Sequence, residues 1–153
     1  MQNHIIFTIP SYIDYKSESP ILERENYDYW AALFEYFLAK TDTIEIHCWN
    51  DENDTIEEIK SLILEKNEIR KEGELTIFQA SNTPAFSEYL LKNNLNEQRE
   101  IKWFTVNVNK DNVLVFHSGH WGTEFYVPNV MEDDLLYIKK VTPDETDTHH
   151  YQN

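Results

Sequence analysis

The stretch that decides the fold is Ile101–Val127, IKWFTVNVNKDNVLVFHSGHWGTEFYV. Phe104, Val106 and Val108 alternate with Thr105 and Asn107, the period of a half-buried strand. Asn109-Lys110-Asp111-Asn112 carries hairpin-turn chemistry, because Asn and Asp tolerate the left-handed backbone that tight turns need. Val113–His117 reads as the returning strand, Ser118–Gly122 as a second turn and Thr123–Val127 as a third strand. Consecutive strands joined by short turns pair antiparallel, so this segment is expected to form a meander.

Toward the N-terminus the pattern changes to strands alternating with helices. His4–Ile9 reads as a strand stopped by Pro10. Pro10–Arg24 reads as a loop, with Pro20 inside it and Tyr12, Ile13 and Tyr15 packing part of it down. Glu25–Lys40 is the clearest helix: Tyr27, Trp30, Phe34, Phe37 and Leu38 recur at helical spacing, with Ala31 and Leu33 on the same side. Thr43–Trp49 is a strand with Ile44, Ile46 and Cys48 on one face and Glu45, His47 and Trp49 on the other. Cys48 on the apolar face reads as a small buried hydrophobe. After the acidic turn Asn50–Asp54, a capping box (Asp54 with Glu57, or Thr55 with Glu58) is expected to open a helix ending near Asn67. Ile56, Ile59, Leu62 and Ile63 are its apolar side. Glu74–Ala80 is a third strand following a turn at Lys71-Glu72-Gly73. Asn82 or Thr83 then caps a third helix with Pro84 at its first position, buried through Phe86, Tyr89, Leu90 and Leu95. Downstream of the meander, Met131–Val141 fits either a helix or a closing strand. The polar residues 142–153 read as a disordered tail.

The expected architecture is therefore α+β (mixed α/β): residues 1–141 as a single domain with one mixed sheet of about six strands and three helices. The order is β-α-β-α-β-α-β-β-β. Alternation implies parallel pairs covered by helices, with the meander as an antiparallel wing.

Composition bounds the function. The 153 residues are 41% apolar and 14% aromatic, enough for a core without staples, and the single Cys48 rules out an internal disulfide framework or a multi-cysteine zinc site. The sequence has neither a long apolar span nor a positively charged leader, so a soluble cytoplasmic protein is expected. With 13 Lys and Arg against 28 Asp and Glu, the net charge is −15. Such a surface is repelled by nucleic-acid phosphates and anionic lipid and attracts a basic protein. Neither nucleic acid nor membrane is therefore an expected partner.

Three groups of residues could carry chemistry. His117 and His120 flank a turn with Glu124 on the next strand, a set that could bind a transition metal or do acid–base work. The turn itself already accounts for Gly119 and Gly122. Asp51, Glu52, Asp54, Glu57 and Glu58 cluster after a strand, where carboxylates could hold Mg²⁺ or Ca²⁺. The register of a calcium loop is missing, and the helix dipole already accounts for acids at that place. Last, Trp49, Trp103 and Trp121 with Tyr126 read as exposed aromatics amid acid, the composition of interface anchors. Phosphate-cradling glycine loops, nucleophile elbows and metalloprotease helices are absent.

The expectation is a non-enzymatic binding module without cofactor or metal. Its partner-binding patch is read as Trp49, Asp51, Glu52 and Asp54, with Trp121 and Glu124 as a second part. Small size, acid excess and aromatic content match the general character of bacterial immunity proteins, inhibitors that neutralise a basic toxin, although no family motif accompanies the likeness. The alternatives are a nucleic-acid-mimic inhibitor and a small metal- or histidine-dependent enzyme using His117, His120 and Glu124.

Overall fold

The computed structural model describes residues 3–12, 21–22, 27–63 and 68–152. The expected packing of Ile13 and Tyr15 lies outside the described residues. The strands are β1 (Asn3–Thr8), β2 (Ser11–Tyr12), β3 (Ile21–Leu22), β4 (Thr43–Trp49), β5 (Ile69–Glu72), β6 (Leu75–Ser81), β7 (Thr105–Lys110), β8 (Val113–Gly119), β9 (Glu124–Val127) and β10 (Asp147–Gln152). The helices are α1 (Asp28–Leu38), α2 (Asn53–Lys60), α3 (Pro84–Lys92) and α4 (Glu132–Val141).

One eight-stranded sheet runs in the order β10-β1-β9-β8-β7-β4-β6-β5, and β2 and β3 form a separate pair. Every neighbouring pair in the large sheet is antiparallel. This corrects the expected mixed sheet of six strands and three helices: there are more strands, a fourth helix, and no parallel pair among the described residues. The helical crossovers do join strands of like direction, but each such pair is split by other strands. Three meander strands lie between β1 and β4, β6 lies between β4 and β5, and β4 lies between β6 and β7.

Two segments take forms that differ from the expectation. Met131–Val141 is helical to its end, including the Leu136–Val141 part, and Asp134 fixes its start by accepting from the Met131 N–H at 2.9 Å. Within 142–153, read as a disordered tail, β10 pairs along the whole of β1, from Asn3 opposite Gln152 to Thr8 opposite Asp147.

Hydrophobic spacing sets the core. In α1, Trp30, Leu33, Phe34, Phe37 and Leu38 are buried at i, i+3, i+4, i+7 and i+8, one continuous helical stripe. That stripe lies on the β8–β9 part of the sheet: Phe37 stacks on Phe116 at 4.3 Å and Tyr29 meets Phe125 edge-on at 6.1 Å. Trp30 Nε1–H donates to Ser118 Oγ at 3.0 Å. α4 joins α1 through Tyr36 stacked on Tyr137 at 4.4 Å and through Lys40 paired with Asp134 at 2.7 Å. α2 is tied to α3 by the hydrogen bond from the Tyr89 hydroxyl to Glu58. All four helices contribute to one core with Ile44, Ile46 and Cys48 of β4. Cys48 is buried as expected, and burial pushes its thiol up to about 12, so it stays protonated at neutral pH. The other sheet face carries half-buried Glu45 and His47 of β4 with Asn107 and His117 beyond them.

Local capping follows the sequence in one helix and departs from it in another. Thr83 Oγ1 accepts from the Phe86 N–H and Pro84 occupies the first position of α3. In α2 neither capping box forms: the helix starts at Asn53, and Glu52 precedes it without a side-chain cap. Glu52 is engaged elsewhere, as follows.

Candidate functional site

At the end of the sheet where β4 stops and β8 turns into β9, three aromatic rings face a groove of about 740 Å³. Trp49 is the last residue of β4, Phe104 immediately precedes β7 and Trp121 sits in the β8–β9 turn. Trp49 lies 4.9 Å from Phe104 at an interplanar angle of 52°, and Phe104 lies 4.8 Å from Trp121 at 67°. The rings are therefore angled to one another and form a concave wall. His120 stands beside Trp121 at 5.7 Å and lines the same groove. Asn50 and the acidic residues Asp51, Glu52 and Glu74 complete the lining. Among the described residues no lysine or arginine lines it.

The backbone holds these rings in place at some cost. His120, Trp121 and Gly122 take φ values of 51°, 54° and 79° in succession, a left-handed run that disfavours side chains by about 1–2 kcal/mol per non-glycine residue. The turn is fixed by the Trp121 N–H donating to the Phe104 carbonyl at 3.1 Å and by the Tyr29 hydroxyl donating to the Gly122 carbonyl at 2.6 Å. Gly122 has no substitute, since a Cβ there would lie 2.9 Å from both Ile101 and Trp30. Two strained residues carrying an imidazole and an indole into one groove is the pattern expected where geometry serves a ligand.

Glu52 braces the groove from within. Its Oε1 accepts from the Trp49 N–H at 2.7 Å, and its Oε2 lies 3.4 Å from the Trp121 indole Nε1–H. It therefore fixes the two tryptophans relative to each other. Asn50 ties the end of β4 to the β5–β6 turn, donating from its backbone N–H to the Glu74 carbonyl at 2.9 Å and from Nδ2 to the Gly73 carbonyl at 3.1 Å. Asp51 and Glu74 are exposed at the rim.

The partner-binding residues read from the sequence thus separate into two sets. Trp49, Asp51, Glu52 and Trp121 meet in the groove. Asp54 lies in the first turn of α2 and faces a neighbouring cleft with Glu58, Glu97 and Lys102. Glu124 opens instead onto a cleft of about 370 Å³ with His117 and Tyr126. Trp103, read as exposed, is fully buried 5.6 Å from Trp30 and 5.7 Å from Tyr89. Its burial follows from its place before β7, where one side chain of the Trp103–Phe104 pair turns into the core and the other into the groove. Phe104 and Glu74 are the residues sequence reading missed. Glu74 follows from the antiparallel β4–β6 register, which sets Trp49 opposite Leu75. Phe104 does not follow from the period-2 pattern, which groups it with the buried Val106 and Val108; the alternation breaks at Thr105–Val106, both buried, and that break leaves Phe104 off the core.

The histidine set does not converge on one cavity. His117 and Glu124 line the smaller cleft, while His120 lines the groove, 3.8 Å from Glu124 through Nδ1 and Oε1. His117 lies within 2.6 Å of Asn107 Oδ1 through Nδ1, and its Nε2 lies against Gly119, where a Cβ would come within 2.8 Å. Among the described residues no group of three or more His, Cys, Asp or Glu side chains is placed to hold a metal ion. Of the acidic cluster, Glu58 is engaged by Lys102 and the Tyr89 hydroxyl, which hold its carboxyl below the usual range against the opposing effect of its burial.

Burial, and then the nearby His47, draw His117 below the ordinary histidine value, with Glu124 opposing. The unfolded chain therefore binds the extra proton first. Stability from this residue is complete above the unfolded value of about 6.5, and it falls as pH drops from there toward the lower folded value. Proton NMR titration of the His117 ring should show a midpoint below 6.5. A midpoint at or above 6.5 would contradict the packing described for that ring.

No helix among the described residues is long and apolar enough to cross a membrane. Comparison with protein-family models, with curated proteins and with solved structures finds no match for this chain.

Proposed function

We propose that this protein is a non-catalytic binding module that captures a basic protein through the Trp49–Phe104–Trp121 groove, in the manner of an immunity-type inhibitor that neutralises a basic bacterial toxin. The observation that carries the reading is the groove itself: three angled aromatic rings, braced by Glu52 and rimmed by Asp51 and Glu74. Interface hot spots are enriched in tryptophan set in a desolvated centre, and a charged rim guides the partner in. The net charge of −15 extends that guidance over the whole surface. The pre-set strained turn favours binding as well, because a surface already held in its bound shape loses less conformational freedom on association.

The test is capture from host lysate at low salt with tagged protein, followed by purification of whatever basic protein is retained. The reading expects a one-to-one complex released by salt, and loss of the partner's own activity when the complex forms. A retained protein that keeps full activity in the complex would remove the inhibitor reading. Retention unaffected by salt would remove the electrostatic one.

A further inference from the structure

We infer that the groove receives a lysine side chain, with the ammonium set against the Trp49, Phe104 and Trp121 rings and near the rim carboxylates of Asp51 and Glu74. This rests on the reading of the groove as the partner surface and names what it recognises there.

Two ammonium groups of this chain show the chemistry. Lys40 Nζ lies 4.3 Å from the centre of the Tyr36 ring and 2.7 Å from Asp134 Oδ1. Lys102 Nζ lies 5.4 Å and 5.5 Å from the Tyr89 and Trp103 rings and is paired with Glu58. In each place an aromatic face and one carboxylate share a lysine, with its ammonium over the ring and within reach of the acid. The groove repeats the recipe with three rings and several carboxylates, and no described lysine or arginine fills it. The complementary occupant is a cation from outside.

Shape selects lysine over arginine. A guanidinium binds best flat on one aromatic face or forked onto one carboxylate. Phe104 is inclined at 52° to Trp49 and at 67° to Trp121, so neither neighbouring pair of rings offers one flat face, whereas a compact ammonium can meet two inclined faces at once. The volume of about 740 Å³ admits the four-carbon stem with the backbone that carries it.

The experiment follows the four indole N–H resonances by ¹H–¹⁵N NMR while the 153-residue protein is titrated with acetyl-Gly-Gly-Lys-Gly-Gly-amide. Parallel titrations replace the lysine with Nε-acetyl-lysine, norleucine or arginine. The inference expects saturable shifts at Trp49 and Trp121, with Trp30 and Trp103 still. Binding should weaken about fivefold or more with norleucine or acetyl-lysine, and by a smaller factor with arginine. Indoles that stay silent, or that move equally for lysine and acetyl-lysine, would overturn it, as would arginine binding more tightly than lysine. Because the wild-type protein is titrated, no variant has to fold. The two readings fail separately. A basic protein retained from lysate together with silent indoles removes the lysine and leaves the module, whereas lysine binding without any retained protein leaves the site and removes its assignment to a protein partner.

Discussion

Reversing Asp51 and Glu74 to lysine is expected to slow association with the basic partner by about 10–100-fold at low salt. Both carboxylates stand exposed on the rim of the groove, and neither braces its rings. Each reversal adds two charges, so the pair takes the net charge only from −15 to −11. A large effect would therefore come from place and not from total charge. The same double reversal at Glu132 and Asp133 is the control. These exposed acids open α4, next to Val130, whose N–H donates to the Asn3 carbonyl at the far end of the sheet. That control is expected to change the rate by less than about threefold. The difference should shrink as salt rises, because the screening length falls to about 3 Å at 1 M. Stability should stay within about 0.5 kcal/mol, as for other exposed substitutions. Glu52 is the wrong residue for this test, since it holds the Trp49 N–H, and its loss would disturb the site itself.

The second large effect is on the fold. Trp30→Ala should cost about 3–5 kcal/mol, the usual range for removing a large aromatic from a core. Trp30 is fully buried, stacked on Phe34 at 4.2 Å and close to Trp103. The change also leaves the buried Ser118 hydroxyl without its indole donor. Against a total stability of about 5–15 kcal/mol this is a large share, and the melting temperature should fall by roughly 10 °C or more. Urea unfolding measures it directly. A loss under about 1 kcal/mol would mean that α1 does not rest on the β8–β9 turn through this ring. Because Trp30 also packs beside Gly122, the substitution should loosen the Trp121 turn and weaken partner capture as well.

The parts of the fold legible in the sequence are those in which one residue set does one job. The α1 stripe buries a single face, and β4 alternates cleanly between a buried and a half-buried face, so both can be read from periodicity. β10 could not be read this way. All six of its side chains are exposed, so DTHHYQ carries no alternation, and its place is set by backbone pairing with β1. β5 is an edge strand of mainly charged residues, IRKE, and reads as turn. Missing it reversed the inferred direction of β6, which turned an antiparallel neighbour of β4 into a parallel one. α4 blurs its own pattern, because Leu136 is exposed while the acidic Asp134 is buried. Strand adjacency was hidden for a further reason: the meander inserts between β1 and β4, a long-range choice that local propensity does not encode.

At the site, composition pointed to tryptophan and acid near residues 49–52 and to Trp121, and the fold brings these together and adds Phe104 and Glu74 from two other segments. Glu52 was legible as an acid and not as a brace. Its role depends on the Trp49 amide and the Trp121 indole meeting it across the sheet end.

The most direct measurement is hydrogen–deuterium exchange of the protein alone and in complex with its captured basic partner. Binding through the groove predicts new protection concentrated at residues 49–53, 73–75 and 119–123, with α4 and β10 unchanged. Protection confined to α4, β10 or the His117 face of the sheet, with the groove amides exchanging as before, would contradict it.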